Sequence, residues 1–111
     1  MKSYLPIIAC CFAISCVNSD PHGSYEYAVN LIVKEKRKIS EHPYKKIMEY
    51  LTHKSKDENG NDVYHFLRAD WESGPYKGKC KIYYVVDPKT DVIIDWGYDE
   101  GGNPKSCVLT G

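Results

Sequence analysis

Thiols and imidazoles are the side chains of this chain most able to do chemistry, and it holds five cysteines and four histidines in 111 residues. Three of the cysteines, Cys10, Cys11 and Cys16, crowd the N-terminus, while Cys80 and Cys107 stand alone near the other end. The histidines, His22, His42, His53 and His65, are scattered, with no His-x-x-x-His pair. Two widely separated thiols and unclustered imidazoles do not supply the four ligands of a zinc site, so no metal and no cofactor is expected. The chain also lacks a phosphate-binding glycine loop and a nucleophile elbow.

His65 invites one catalytic reading, because Arg68 and Asp70 follow it on what reads as a strand. A carboxylate, an arginine and a histidine on an antiparallel sheet perform acid–base transfer at phosphate in small secreted ribonucleases. A spacing of three, however, sends His65 and Arg68 to opposite faces of a regular strand. His65 is expected instead to share its face with Leu67 and Trp71 as a packed or rim residue, and no enzyme activity is assigned.

The N-terminal cysteines belong to a different kind of segment. Lys2 precedes an uncharged apolar run from Tyr4 to Ile14. The run is too short for a membrane span, which needs about 20 apolar residues. It has the order of an export signal: positive, apolar, then small. Residues 1–19 are therefore read as a cleaved signal, with Val17 and Ser19 as the small residues before an ordinary cut. Alternatively, Ala13-Ile14-Ser15-Cys16 serves as a lipobox, in which Cys16 is acylated and 18–23 form a tether. Ile7-Ile8-Ala9-Cys10 fits the same pattern but leaves almost no apolar core before it. Export places the remaining Cys80 and Cys107 in an oxidising compartment, where they are expected to pair.

What remains, residues 20–111, is a single domain. Basic and acidic residues balance at 15 each over the chain, which argues against nucleic acid as a partner. The sum hides a polarity: residues 34–56 carry a net +5, and residues 57–111 a net −4. Lys34, Lys36, Arg37, Lys38, Lys45 and Lys46 are the candidate interaction surface, suited to anionic headgroups or an acidic envelope protein. Asp95, Asp99 and Glu100 lack the spacing of a calcium loop.

Periodicity supplies the scaffold. Tyr25, Val29, Ile32 and Ile39 mark one helical stripe over 25–39, and Tyr44, Ile47, Met48 and Leu51 a second. Pro43 sets the break between them near Glu41-His42. Thr52 to Asp62, with Asn59-Gly60, reads as a loop. Period two then takes over in 63–71, and further strands are expected at 79–87 and 91–98 around an Asp87-Pro88 turn. Burial favours a hairpin register pairing Val86 with Val92, Tyr84 with Ile94, Ile82 with Trp96 and Cys80 with Tyr98. The expected fold is α+β: an N-terminal helix or helix pair on a three-stranded antiparallel meander, stapled by one disulfide.

The run Cys80-Lys81-Ile82-Tyr83-Tyr84-Val85-Val86-Asp87-Pro88-Lys89-Thr90, followed by Ile93-Ile94-Asp95-Trp96-Gly97-Tyr98, Gly101 and Cys107, resembles uncharacterised small exported bacterial proteins. Those carry a cysteine opening one strand, a V-D-P-x-T turn, a tryptophan on the next strand and a closing cysteine, many behind a lipobox. The order of elements is also similar in layout to the SmpA/OmlA outer-membrane lipoproteins, although the Gly-rich helical motif of that family is missing here. The resemblance implies a small cell-envelope protein, periplasmic and tethered to the outer membrane by a Cys16 lipid, or else freely secreted. Its expected role is a non-enzymatic interaction or binding module, with a secreted inhibitor or immunity protein as the alternative.

Overall fold

The computed structural model describes residues 20–109, so the proposed signal and Cys16 lie outside the described residues. Helix α1 spans Pro21–Lys34. Its start is chemically specified: Asp20 caps it by accepting the His22 amide at 3.1 Å, and Pro21 stands at the first helical position. Residues 21–23, expected as part of a flexible tether, thus belong to the helix. Tyr25, Val29 and Ile32 form the buried face.

The helix ends five residues earlier than its apolar stripe suggests. Lys36 adopts a left-handed conformation with φ 56°, and the Lys36 and Arg37 amides donate back to Val33 and Ile32 at 3.0 and 3.2 Å. That pair of bonds is a Schellman stop with a lysine where glycine is usual. Ile39 is still buried, but by another route. Its amide donates to the Asp91 carbonyl, and the Ile93 amide donates to the Arg37 carbonyl, both at 2.9 Å. The link after α1 is therefore stitched to a sheet edge.

The second helix does not form. A single 3-10 turn at Ile47–Tyr50 runs directly into strand β1, Leu51–Lys56. Of the expected stripe only Ile47 is fully buried, while Tyr44 and Met48 are 40% and 44% exposed. Pairing of Leu51 with Phe66 and of Lys56 with Asp62 commits this segment to extended backbone. Residues 57–61 close the hairpin: Asp57 Oδ1 accepts the amides of Asn59 and Asn61 at 2.9 Å each, and Gly60 turns at φ 83°.

The sheet accordingly has four strands rather than three, an antiparallel meander in the order β1-β2-β3-β4, with β2 at Asp62–Trp71, β3 at Gly78–Val86 and β4 at Ile93–Tyr98. Besides an irregularity at Thr52 in β1, two bulges set its faces. The first lies at Arg68, where Leu67 pairs with Lys81 but Ala69 with Cys80. The second lies at Ile94 and corrects the expected register: Val86 faces Ile93, Tyr84 faces Trp96 and Ile82 faces Tyr98. Ile93 is thereby fully buried and Ile94 left 45% exposed. Asp91, at φ 67°, closes the turn that makes this offset. The expected sharing of one face by Cys80, Ile82, Tyr84, Trp96 and Tyr98 survives, because the offset is two residues.

The inner face carries the core: Phe66, Ile82, Tyr84, Val86 and Ile93 with Ile47 and the α1 stripe. Trp96 Nε1 donates to Asn30 Oδ1 at 2.8 Å and the Tyr98 hydroxyl to Glu26 Oε2 at 2.5 Å, fixing β4 beneath α1. The tail after β4 folds back through a 3-10 turn, Pro104–Ser106, to the Cys80–Cys107 disulfide, which is buried and spans a sequence separation of 27. Reduction or paired Cys80→Ser and Cys107→Ser substitution is expected to lower unfolding free energy by about 3–4 kcal/mol from loop-closure entropy. Urea titration with and without reductant measures this, and coincident curves would contradict it.

Candidate functional site

Two hollows face opposite sides of the sheet. The inner one opens between α1, the turn 42–44 and the β2–β3 floor, with a volume of about 400 Å³. Its wall is Tyr25, Ala28, Val29, Leu31 and Ile32 from α1, Pro43 and Tyr44 from the turn, and Leu109 from the tail. Arg68 and Tyr84 belong to its floor, and Glu35 and Arg37 form an ion pair at 3.1 Å on its rim.

Arg68 reaches this face by the ordinary alternation of β2, three residues after the outward-facing His65, and the bulge reverses only the positions beyond it. Its guanidinium lies against two tyrosine rings, 5.1 Å from the Tyr44 centroid and 4.9 Å from that of Tyr50. Nη1 is buried and has no hydrogen-bond partner among the described residues.

The neighbouring polar groups have definite protonation. The Tyr44 amide donates to His42 Nδ1 at 3.0 Å, so the neutral ring carries its proton on Nε2 and donates it to the Tyr84 hydroxyl at 2.9 Å. Burial, reinforced by the Arg68 charge, holds the His42 pKa down to about 4. Burial also pushes the Tyr25 phenol up to about 12 and the Tyr84 phenol higher still. The inner cleft is thus an apolar chamber with a fixed cation, a neutral imidazole and protonated phenols.

The outer hollow, about 540 Å³, is polar. The His53 and His65 rings stack at 4.1 Å, nearly parallel. His65 Nδ1 stands 2.7 Å from Asp99 Oδ2, and its Nε2 stands 2.8 Å from Ser55 Oγ. This hydroxyl–imidazole–carboxylate chain has the atom order that activates serine in hydrolases. Here it also ties the edge strand β1 to the end of β4 across two intervening strands. Lys79, Lys81 and Glu100 complete the surround.

Neither a family model, nor a curated protein, nor a solved structure matches the chain. The site is therefore read from its geometry alone.

Of the residues singled out in the sequence, Cys80 and Cys107 pair as expected, and Cys16 lies outside the described residues. Lys34, Lys36, Arg37, Lys38, Lys45 and Lys46 are all solvent-exposed. Arg37 alone among them joins the cleft, and Lys45 lines a smaller hollow of about 340 Å³ that shares His42 and Tyr44 with it. His65 and Arg68 do part to opposite faces. Trp71, though, leaves the His65 face after the bulge, and its Nε1 donates to the Ser106 carbonyl at 3.0 Å. Among the described residues no cluster of three or more His, Cys, Asp and Glu is arranged to hold a metal, and no helix is long and apolar enough to cross a membrane. Sequence reasoning missed His42, Tyr84 and the cleft-facing role of Arg68, which come together only through the tertiary fold.

His42 gives the cleft a measurable pH signature. In the unfolded chain it takes up a proton near pH 6.5, whereas in the fold it stays neutral to about pH 4. Between those values the unfolded state binds the extra proton. This contribution is therefore fully present above pH 6.5 and falls by about 2–3 kcal/mol as pH drops to 4. Against His42→Gln, which lacks the titration, the wild-type stability advantage narrows over that window. A pH-independent difference in urea midpoints would contradict the buried neutral imidazole.

Proposed function

We propose that the chain is a small exported binding module of the cell envelope, and that the cleft between α1 and the sheet is its working surface. The carrying observation is the cleft itself: about 400 Å³, within the range of small-molecule sites, with a mostly apolar wall and a few convergent polar groups. The buried disulfide supports an oxidising compartment. With Cys16 acylated, the Asp20 cap of α1 would lie four residues after the anchor. The exposed Lys34, Lys36, Arg37 and Lys38 would then sit at the far end of α1, available to anionic headgroups or an acidic envelope protein.

One observation favours the inhibitor or immunity reading as the second. Tyr27, Leu31, Tyr44, Met48 and Tyr50 are each at least 36% exposed, and Leu31 and Tyr44 border the cleft. Aromatic and methionine side chains of this kind are enriched at protein interfaces. Co-purification of one stoichiometric hydrolase would move the assignment to that class.

The cleft is tested with a neutral fluorophore, N-phenyl-1-naphthylamine. Wild-type protein is expected to bind it with a blue-shifted emission, and Ala28→Trp, which fills the cleft from α1, to lose that signal while retaining its thermal transition. Binding unaffected by Ala28→Trp would place the probe elsewhere and remove the main support for this reading. Export and tethering have a separate readout. Palmitate is expected to label the chain in a bacterial host and to be lost in Cys16→Ala; unlabelled protein recovered in the medium would sink the tethered form.

A further inference from the structure

The inner cleft holds a charge that its own residues leave unanswered. Arg68 has no ion pair among the described residues, and its Nη1 has no acceptor there. Glu35, the acidic side chain of the rim, is engaged by Arg37. Arg68 is half-buried with Nη1 shielded from solvent, and a partly desolvated cation without a counter-charge is destabilising, which two tyrosine faces offset only in part. A second donor points the same way. Tyr84 receives the His42 proton on its oxygen, so its own hydroxyl hydrogen is directed elsewhere, and no acceptor for it stands among the described residues.

We propose that the cleft binds a small amphipathic carboxylate, its head on Arg68 and Tyr84 and its apolar body along Val29, Leu31 and Ile32. The inference rests on the cleft reading above and adds the ligand class. One cation and one neutral phenol match a single negative charge, and the planar guanidinium matches the geometry of a carboxylate. An amine would be repelled by Arg68, and a neutral alcohol would leave its charge uncompensated. Reaching Nη1 requires Tyr44 and Tyr50 to shift; the two rings are 40% and 36% exposed and hold one another through a 3.4 Å hydroxyl contact.

The test uses the full chain, stripped of lipid, with decanoate, decanol, decylamine and decyl phosphate competing against N-phenyl-1-naphthylamine. Decanoate is expected to displace the probe at about tenfold lower concentration than decanol, the scale of one charge-assisted hydrogen bond, and decylamine to compete worst. In Arg68→Met the decanoate and decanol curves, each referred to that variant's own probe affinity, should converge. Should Arg68→Met not fold, Tyr84→Phe is expected to weaken decanoate several-fold more than decanol, and equal weakening of both counts against the proposal. Equal competition by decanoate and decanol in the wild type, or a preference that persists in Arg68→Met, overturns the proposal. Stronger competition by decyl phosphate assigns the head to phosphate and overturns it equally. Failure of the probe itself to bind counts against the cleft reading, so the two failures are distinguishable.

Discussion

The Cys80–Cys107 bridge is the constraint on which the rest of the molecule hangs. It welds the C-terminal tail to the middle of the sheet, and the tail in turn holds the helix. His22 Nδ1 donates to the Cys107 carbonyl at 2.9 Å, and the Leu109 amide donates to the Pro21 carbonyl at 3.0 Å. The same tail secures the β2–β3 connection, since Ser106 Oγ donates to the Tyr76 carbonyl at 2.7 Å and the Ser106 carbonyl accepts from Trp71. A domain of this size has a modest apolar core, so fixing three segments through one covalent tie is an effective use of a single cross-link. It also explains how Ser106, a polar residue, is fully buried without an unmet hydrogen bond.

One extra residue in β2 decides what each face of the sheet can do. Without the bulge, a residue three after His65 would still point inward, but the positions beyond it would reverse. With it, Arg68 and Ala69 both serve the inner side: Arg68 enters the cleft, and Ala69 packs against the core beside Cys80. The inner face then holds the unpaired guanidinium among apolar walls, and the outer face holds the imidazole, hydroxyl and carboxylate groups.

The parts legible in the sequence are those whose burial alternates. Strand β3 buries every second residue from Cys80 to Val86, and both its limits and its inward face follow from period two. The cysteine pairing follows from compartment and elimination. Strand β1 was not legible, because Leu51 is only partly buried and Thr52 to Lys56 are exposed, so no face is written into its sequence. Its lysines are the kind of residue that discourages pairing at an open edge. The left-handed positions at Lys36 and Asp91 carry no glycine to announce them. The bulges at Arg68 and Ile94 change pairing without changing composition. The partners of His65 lie 10 and 34 residues away, beyond the reach of any local spacing rule.

The stripe at Tyr44, Ile47, Met48 and Leu51 is the most instructive failure, because the cleft exists on account of it. Two helices lying side by side on this sheet would bury both stripes and close the space between them at an interaxial distance of about 8–10 Å. Instead, β1 draws Leu51 into the sheet, and residues 39–50 cover the inner face as a pair of short turns anchored at Ile39, His42 and Ile47. Helix α1 meanwhile rests chiefly over β4 and the tail. The two covers are held to different parts of the sheet and do not interdigitate. Between them the floor at Tyr84 and Arg68 stays within reach of a ligand, and Tyr44, freed from a helical stripe, becomes both a wall of the cleft and a ring against the cation.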